Sequence, residues 1–216
     1  YHLVALPLLP ILSWALAERG CAVVHAAAVA TGAGALLIGG RSGTGKSTAS
    51  LACLAAGLGF VGDDMCVIEP GEPPLVHSLY CSGKLDPADT RRFPTLAPAL
   101  VEGSGPWWEK SVYLFDAHLA QRIVRRAPLA GVVIPRRDLA PPVRLAPRQA
   151  FLAMAPNTVF QLPGAAQAAC AGVKEAVSKV PVHAVGVGDR VDGIAARLTA
   201  FAAGLAPCDA RVEQTA

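Results

Sequence analysis

Ala35-Leu36-Leu37-Ile38-Gly39-Gly40-Arg41-Ser42-Gly43-Thr44-Gly45-Lys46-Ser47-Thr48 joins an apolar run to a glycine-rich loop and the start of a helix. From Gly40 to Ser47 it spells G-x-x-x-x-G-K-[ST]. In such a loop, glycines let successive backbone N–H groups turn inward around a phosphate, and the following helix directs its positive end at the same anion. The pattern predicts phosphate contacts from Gly40, Ser42, Gly43, Thr44, Gly45, Lys46, Ser47 and Thr48. Lys46 is expected to bridge the β- and γ-phosphates of a nucleotide, and the Ser47 hydroxyl to bind Mg²⁺. The strand-like run before the loop and the helical pattern over Ser50 to Ala56 supply the context this chemistry needs.

Working outward, Cys21 to Ala30 reads as a strand, and Thr31-Gly32-Ala33-Gly34 as the turn of a hairpin into Ala35–Gly39. The helix over Lys46–Ala56 is closed by Gly57 and Gly59. Phe60-Val61 leads to Gly62-Asp63-Asp64, and strands are expected over Met65–Glu69 and Leu75–Tyr80, with a turn at Gly71–Pro74 between them. Asp86 to Trp108 is proline-rich and aperiodic, with one short helix near Pro87–Arg92; it is the expected place for acceptor contacts, since irregular segments between core strands carry recognition. Further strands are expected at Val112–Phe115, Ala130–Ile134, Pro142–Leu145 and Val182–Val187, and helices over Gln149–Val180 and Val191–Leu205, with Gly188-Asp189 as a turn. The expectation is one α/β domain over residues 1–216: an N-terminal helix in 1–20, a nucleotide-binding core over 21–150, and a mainly helical part over 151–216.

A formal charge of +3 is too small to imply nucleic acid, although Arg122, Arg125, Arg126, Arg136 and Arg137 gather positive charge in one stretch that suits an anionic ligand or partner, or a solvated surface. Six cysteines lie mostly in apolar contexts without metal-ligand spacing, which reads as reduced thiols in a cytoplasmic protein. Leu3 to Ala17 carries no charge, but it is shorter than the ~20 residues that span a bilayer and contains Pro7 and Pro10. A buried helix around Ile11 to Arg19, with no membrane partner, is the reading.

Two further features flank the loop. His25 sits on the preceding strand and Asp63-Asp64 follows the loop's helix; no LSGGQ-like or NKxD-like motif accompanies them. Read alone, His25 is equally a satisfied core residue, the aspartates a polar turn, and Trp107-Trp108 packing residues or an acceptor platform. Together, His25, the loop through Ser47, the helix ending near Gly57 and Asp63-Asp64 resemble, without a gap over about 40 residues, the catalytic domain of HPr kinase/phosphorylase.

That resemblance implies a P-loop kinase domain related to phosphoenolpyruvate carboxykinase, with a mixed β-sheet flanked by helices, and ATP and Mg²⁺ as cofactors. It implies that Lys46 holds the transferring phosphate, Ser47 and Asp64 hold the metal, Asp63 takes the proton from an acceptor hydroxyl and His25 lies beside the phosphates. Arg136 or Arg137 becomes the transition-state cation, acting across subunits of a homo-oligomer, and Lys84 stands in for a family arginine. The chain departs from the family in lacking a metal-assisting glutamate in Ser78–Lys84 and the later phosphorylase signature. Short stand-alone relatives resemble kinases of ribosomal-peptide and lasso-peptide tailoring, so a peptide or protein serine is the expected acceptor. HPr serine kinase proper, a non-catalytic nucleotide-binding regulator and a hydrolysing P-loop ATPase are the alternatives.

Overall fold

The structure, a computed structural model, describes residues 2–101, 110–188, 190–206 and 212–214. Two short helices, α1 (His2–Ala5) and α2 (Leu9–Ala17), precede strands β1 (Ala22–Val24), β2 (Ala27–Thr31) and β3 (Gly34–Ile38). The glycine-rich loop leads into α3 (Lys46–Ala55), followed by β4 (Gly59–Gly62), β5 (Cys66–Glu69), β6 (Leu75–Ser78) and β7 (Ser82–Leu85). Two 3-10 turns (Pro87–Arg92 and Pro94–Ala99) come before β8 (Ser111–Leu114), and a third (Ala120–Arg122) before β9 (Val124–Arg136). The chain ends with β10 (Val143–Arg144), α4 (Pro147–Gln161), α5 (Ala166–Lys179), β11 (Val182–Gly186), α6 (Val191–Ala203) and β12 (Glu213–Gln214).

The expected hairpin is β2 against β3, closed at Thr31↔Gly34. The strand expected over Cys21–Ala30 is instead two strands, because β1 pairs with β5 while β2 pairs with β3 and β4. The change of partner leaves His25 and Ala26 outside both ladders, and there His25 becomes available to the site.

One mixed, mostly antiparallel sheet runs in the order β1-β5-β6-β9-β3-β2-β4, with β11 and β12 also on β9 and β10 on β11. The parallel pairs are β3 with β9 and β9 with β11, so the ends of all three point to the edge where the glycine-rich loop begins. Every residue of β3 is buried, as a strand covered on both faces requires. On one face α3 and α6 pack over Leu36, Ile38, Phe60 and Val133; on the other α4 and α5 pack over Leu37, Val61, Val132 and Ile134. β7 and β8 form a separate small sheet.

Several expectations change. The helix expected to be buried near Ile11–Arg19 lies at the surface as α2: Leu9 and Ser13 are buried, but Ile11 and Trp14 are exposed, because only one side meets the protein. The strand expected over Ala130–Ile134 extends to thirteen residues, Val124–Arg136, because its two halves serve different neighbours, β6 first and then β3 and β11. That length, at about 3.3 Å per residue, separates Arg125 and Arg126 from Arg136 and Arg137 by roughly 30 Å, so the arginines do not make one patch. Arg126 instead pairs with Glu213, and Arg122 donates to the Leu54 carbonyl at the end of α3. β4 and β7 were not expected; both are short and contain glycine, which mutes the alternation that marks a strand. The described cysteines are free thiols, with Cys53 and Cys66 buried. Trp107, Trp108, Asp189 and Cys208 lie outside the described residues. Among the described residues no helix is long and apolar enough to cross a membrane.

Candidate active site

The phosphate-loop pattern folds into a loop with room inside it. Gly43 (φ 79°) and Gly45 (φ 90°) sit in the left-handed region, and a Cβ at either would meet nothing within 4 Å. Side chains there would strain the backbone and fill the space toward which the loop's N–H groups can turn. Lys46 is buried and folds back, its Nζ donating to the carbonyls of Gly40 and Arg41 at 3.1 Å each. Burial pulls the Lys46 pKa down, against the opposing pull of Asp64 and Asp63. Thr44 donates its hydroxyl to Arg41 at 2.8 Å and braces the loop from within.

The two aspartates after β4 have unlike surroundings. Asp63, 1% exposed, points behind the loop: it accepts the Ser50 hydroxyl at 3.3 Å and the Lys84 backbone N–H at 3.0 Å, and Ser47 also hydrogen-bonds to it. Burial first, and then the charge of Asp64, push its pKa up; the Lys84 and Ser47 hydrogen bonds offset part of that. Asp64 takes a left-handed conformation, φ 69°, which Asp tolerates better than most residues. Its carboxylate lines the cavity, with Oδ1 3.2 Å from His25 Nε2 and Oδ2 paired with the Lys84 ammonium. Burial alone would raise the Asp64 pKa, but the His25 hydrogen bond and the Lys84 charge outweigh it and hold the group below the usual carboxylate range.

His25 is 4% exposed and is held from α4 at two points. Its backbone N–H donates to Thr158 Oγ1 at 3.1 Å, and its Nδ1 lies 3.1 Å from Gln161 Nε2. Thr158, itself fully buried, donates its hydroxyl to the Met154 carbonyl at 3.0 Å.

One cavity of about 720 Å³ collects these groups. Ser42, Gly43, Gly45, Lys46, Ser47 and Thr48 form its loop wall, and His25, Asp64, Lys84 and Gln161 stand in it with them. Its rim carries Leu6 and Leu9 from the N-terminal helices, and Asp86, Asp89 and Lys110 beside the small sheet. Of the residues expected from sequence, Gly40 and Thr44 brace the loop without lining the cavity, and Asp63 sits behind it. Arg136 and Arg137 do not line it; Arg136 ends β9 and Arg137 follows it, and Arg137 borders a different cavity beside α6. Gln161, Thr158, Leu6 and Leu9 were not expected. No local signal marks them, since Gln161 and Thr158 are helix residues more than 130 positions from the histidine they hold.

The residues present fit a nucleotide phosphate with Mg²⁺. The loop leaves an open cradle, Lys46 supplies a cation, and Ser47 beside a buried carboxylate offers oxygen ligands of the kind Mg²⁺ takes few of from protein. Among the described residues no group of three His, Cys, Asp or Glu converges as a protein-only metal site.

No family model matches the chain, and no curated protein matches it. Among solved structures, it is similar to the "Hpr(Ser) kinase/phosphatase from Coxiella burnetii", with 12% identity and a TM-score of 0.45 over 83% of this chain and 93% of that one. With likeness at that level, the functional reading rests on the chemistry of the cavity itself.

Proposed function

We propose that this protein is a kinase that uses ATP and Mg²⁺ to phosphorylate a serine or similar hydroxyl on a peptide, of the lasso-precursor type, or on a protein. The observation that carries the reading is that Lys46 and Ser47 of the phosphate loop and the carboxylate of Asp64 line one cavity. Phosphoryl transfer needs charge neutralisation and positioning, plus a base near the acceptor hydroxyl, and these residue types supply each.

The surroundings of the aspartates favour exchanging their expected roles. Asp64, in the cavity and held ionised, is the base; Asp63, behind Ser47, belongs to the metal side. Asp64 takes the acceptor's proton as its oxygen bonds to the γ-phosphorus and the bond from that phosphorus to the bridging oxygen breaks, releasing ADP. Ser47 and Asp63 would hold Mg²⁺ together with the phosphates, and the ion would supply neutralisation of phosphate charge. In this reading the chain acts in the cytoplasm as a homo-oligomer, with Arg136 or Arg137 serving a neighbouring subunit's cavity.

The test is intact-mass analysis of HPr, serine-containing precursor peptides and free serine after incubation with Mg²⁺-ATP. The expected result is a phosphate-sized gain on one acceptor that disappears with Asp64→Asn. Hydrolysis of ATP at the same rate with or without any acceptor would replace the kinase with a P-loop ATPase. One observation favours a second reading, a nucleotide-binding regulator: the Lys84 ammonium already occupies one oxygen of Asp64. Nucleotide binding without transfer to any of the three acceptor classes would favour it.

A further inference from the structure

The kinase reading uses Asp63, Asp64 and the loop, but leaves Gln161 unexplained. Its side chain reaches from the last turn of α4 to the cavity mouth, and its Nε2 lies 3.1 Å from His25 Nδ1. With its NH₂ turned to the ring, as placed here, the amide donates, and the Nδ1 it meets is then the accepting nitrogen. A neutral imidazole then carries its one proton on Nε2, the nitrogen 3.2 Å from Asp64 Oδ1. The proton order along the chain is thereby set: Gln161 donates to His25, and His25 donates to Asp64.

Three separate contacts converge on this arrangement. Thr158, one turn before Gln161 on the same helix, fixes the histidine backbone through its N–H. Gln161 fixes the ring's rotation and tautomer. Lys84 holds the other oxygen of Asp64, so the carboxylate is gripped at both oxygens. Each carboxylate oxygen keeps a further lone pair for an acceptor proton.

We propose that Gln161 is a positioning residue: by donating to His25 Nδ1 it holds the imidazole in the Nε2-protonated form, which in turn aims the Asp64 carboxylate into the phosphate-loop cavity. The consequence for chemistry rests on the kinase reading, whereas the tautomer does not. The same logic operates wherever a third group orients an imidazole between two partners, and there the wrong tautomer costs rate while leaving the fold intact.

The experiment compares wild type with Gln161→Met, which keeps similar bulk without a donor and alters an exposed side chain, so folding is not at stake. Long-range ¹H–¹⁵N spectra of ¹⁵N-histidine protein report which ring nitrogen carries the proton. The signals of His25, among five histidines, are assigned by their loss in His25→Gln. Wild type is expected to show a pure Nε2-protonated His25, and Gln161→Met a shift toward a mixture of tautomers. In kinetics, kcat is expected to fall about 10-fold with the nucleotide KM within about 2-fold, a fraction of the 10²–10⁴ that the base itself supplies. An Nδ1-protonated His25 in wild type, or identical His25 signals in both proteins, overturns the proposal. Absence of phosphotransfer in wild type would instead count against the kinase reading, and the spectra would still decide whether Gln161 sets the tautomer.

Discussion

The carboxylate of Asp63 accepts the backbone N–H of Lys84 at 3.0 Å. Because the Lys84 ammonium also pairs with Asp64, the two adjacent aspartates hold one residue of β7 by its backbone and by its side chain. The small sheet is thereby tied to the phosphate loop, although among the described strands β7 and β8 form no ladder with the main sheet.

The aspartates are expected to separate in kinetics. Asp64→Asn should lower kcat by roughly 10²–10⁴-fold and change nucleotide affinity far less, since it removes the proton acceptor along with the charge that Lys84 pairs with. Asp63→Asn should mainly raise the Mg²⁺ concentration needed for half-maximal rate. Steady-state rates across a Mg²⁺ titration check both, and the opposite pattern would return the base to Asp63.

Lys84→Met should move the acid limb of the rate profile to higher pH. Asp64 acts as a base only when ionised, and Lys84 is one of the groups that hold its pKa below the usual range against burial. Without that cation the carboxylate takes up a proton at higher pH, so rate is lost sooner as pH falls. A kcat/KM profile whose acid limb does not move would show that Lys84 leaves Asp64 unaffected.

Lys46→Ala should weaken triphosphate binding more than diphosphate binding, because the ammonium is expected against the β- and γ-phosphates. Calorimetric titration with ATP and ADP measures the two losses; equal losses would mean that Lys46 does not reach the γ-phosphate. In the structure Lys46 donates to the Gly40 and Arg41 carbonyls, which takes two of the three N–H bonds of its ammonium.

Asp63 should make the ligand-free protein less stable as pH rises. Burial and the charge of Asp64 raise its folded pKa from 3.8 to about 6, so the folded state binds its proton more tightly than the unfolded chain. Its stabilising contribution is complete below the unfolded value and is lost as pH rises through the folded one. Asp63→Asn lacks this term, so its melting temperature relative to wild type should climb between about pH 4 and 7. A constant difference across that range would mean that Asp63 ionises as easily when folded as when unfolded.

Thr158→Val should cost about 1–3 kcal/mol, because it leaves the buried His25 backbone N–H without an acceptor. Urea denaturation at neutral pH reads it directly, and a change within 0.5 kcal/mol, the usual range of a surface substitution, would mean that the N–H finds another partner.

What the amino-acid sequence determined by itself was the strand, loop and helix around Lys46, and with them the order of most later elements. Those features follow from local chemistry: Gly43 and Gly45 permit the left-handed turns, the helix after them closes its own hydrogen bonds, and Ala35 to Ile38 is apolar at every position. Only the tertiary structure decided which aspartate meets the cavity, since that depends on where β4 ends and where β7 docks, and not on the dipeptide. It also decided that Gln161 and Thr158 hold His25, and that β9 carries Arg126 and Arg136 far apart. The physical reason is common to all three: a side chain's burial and partners are set by pairings between segments distant in the chain, whereas a turn or helix is set within a few residues.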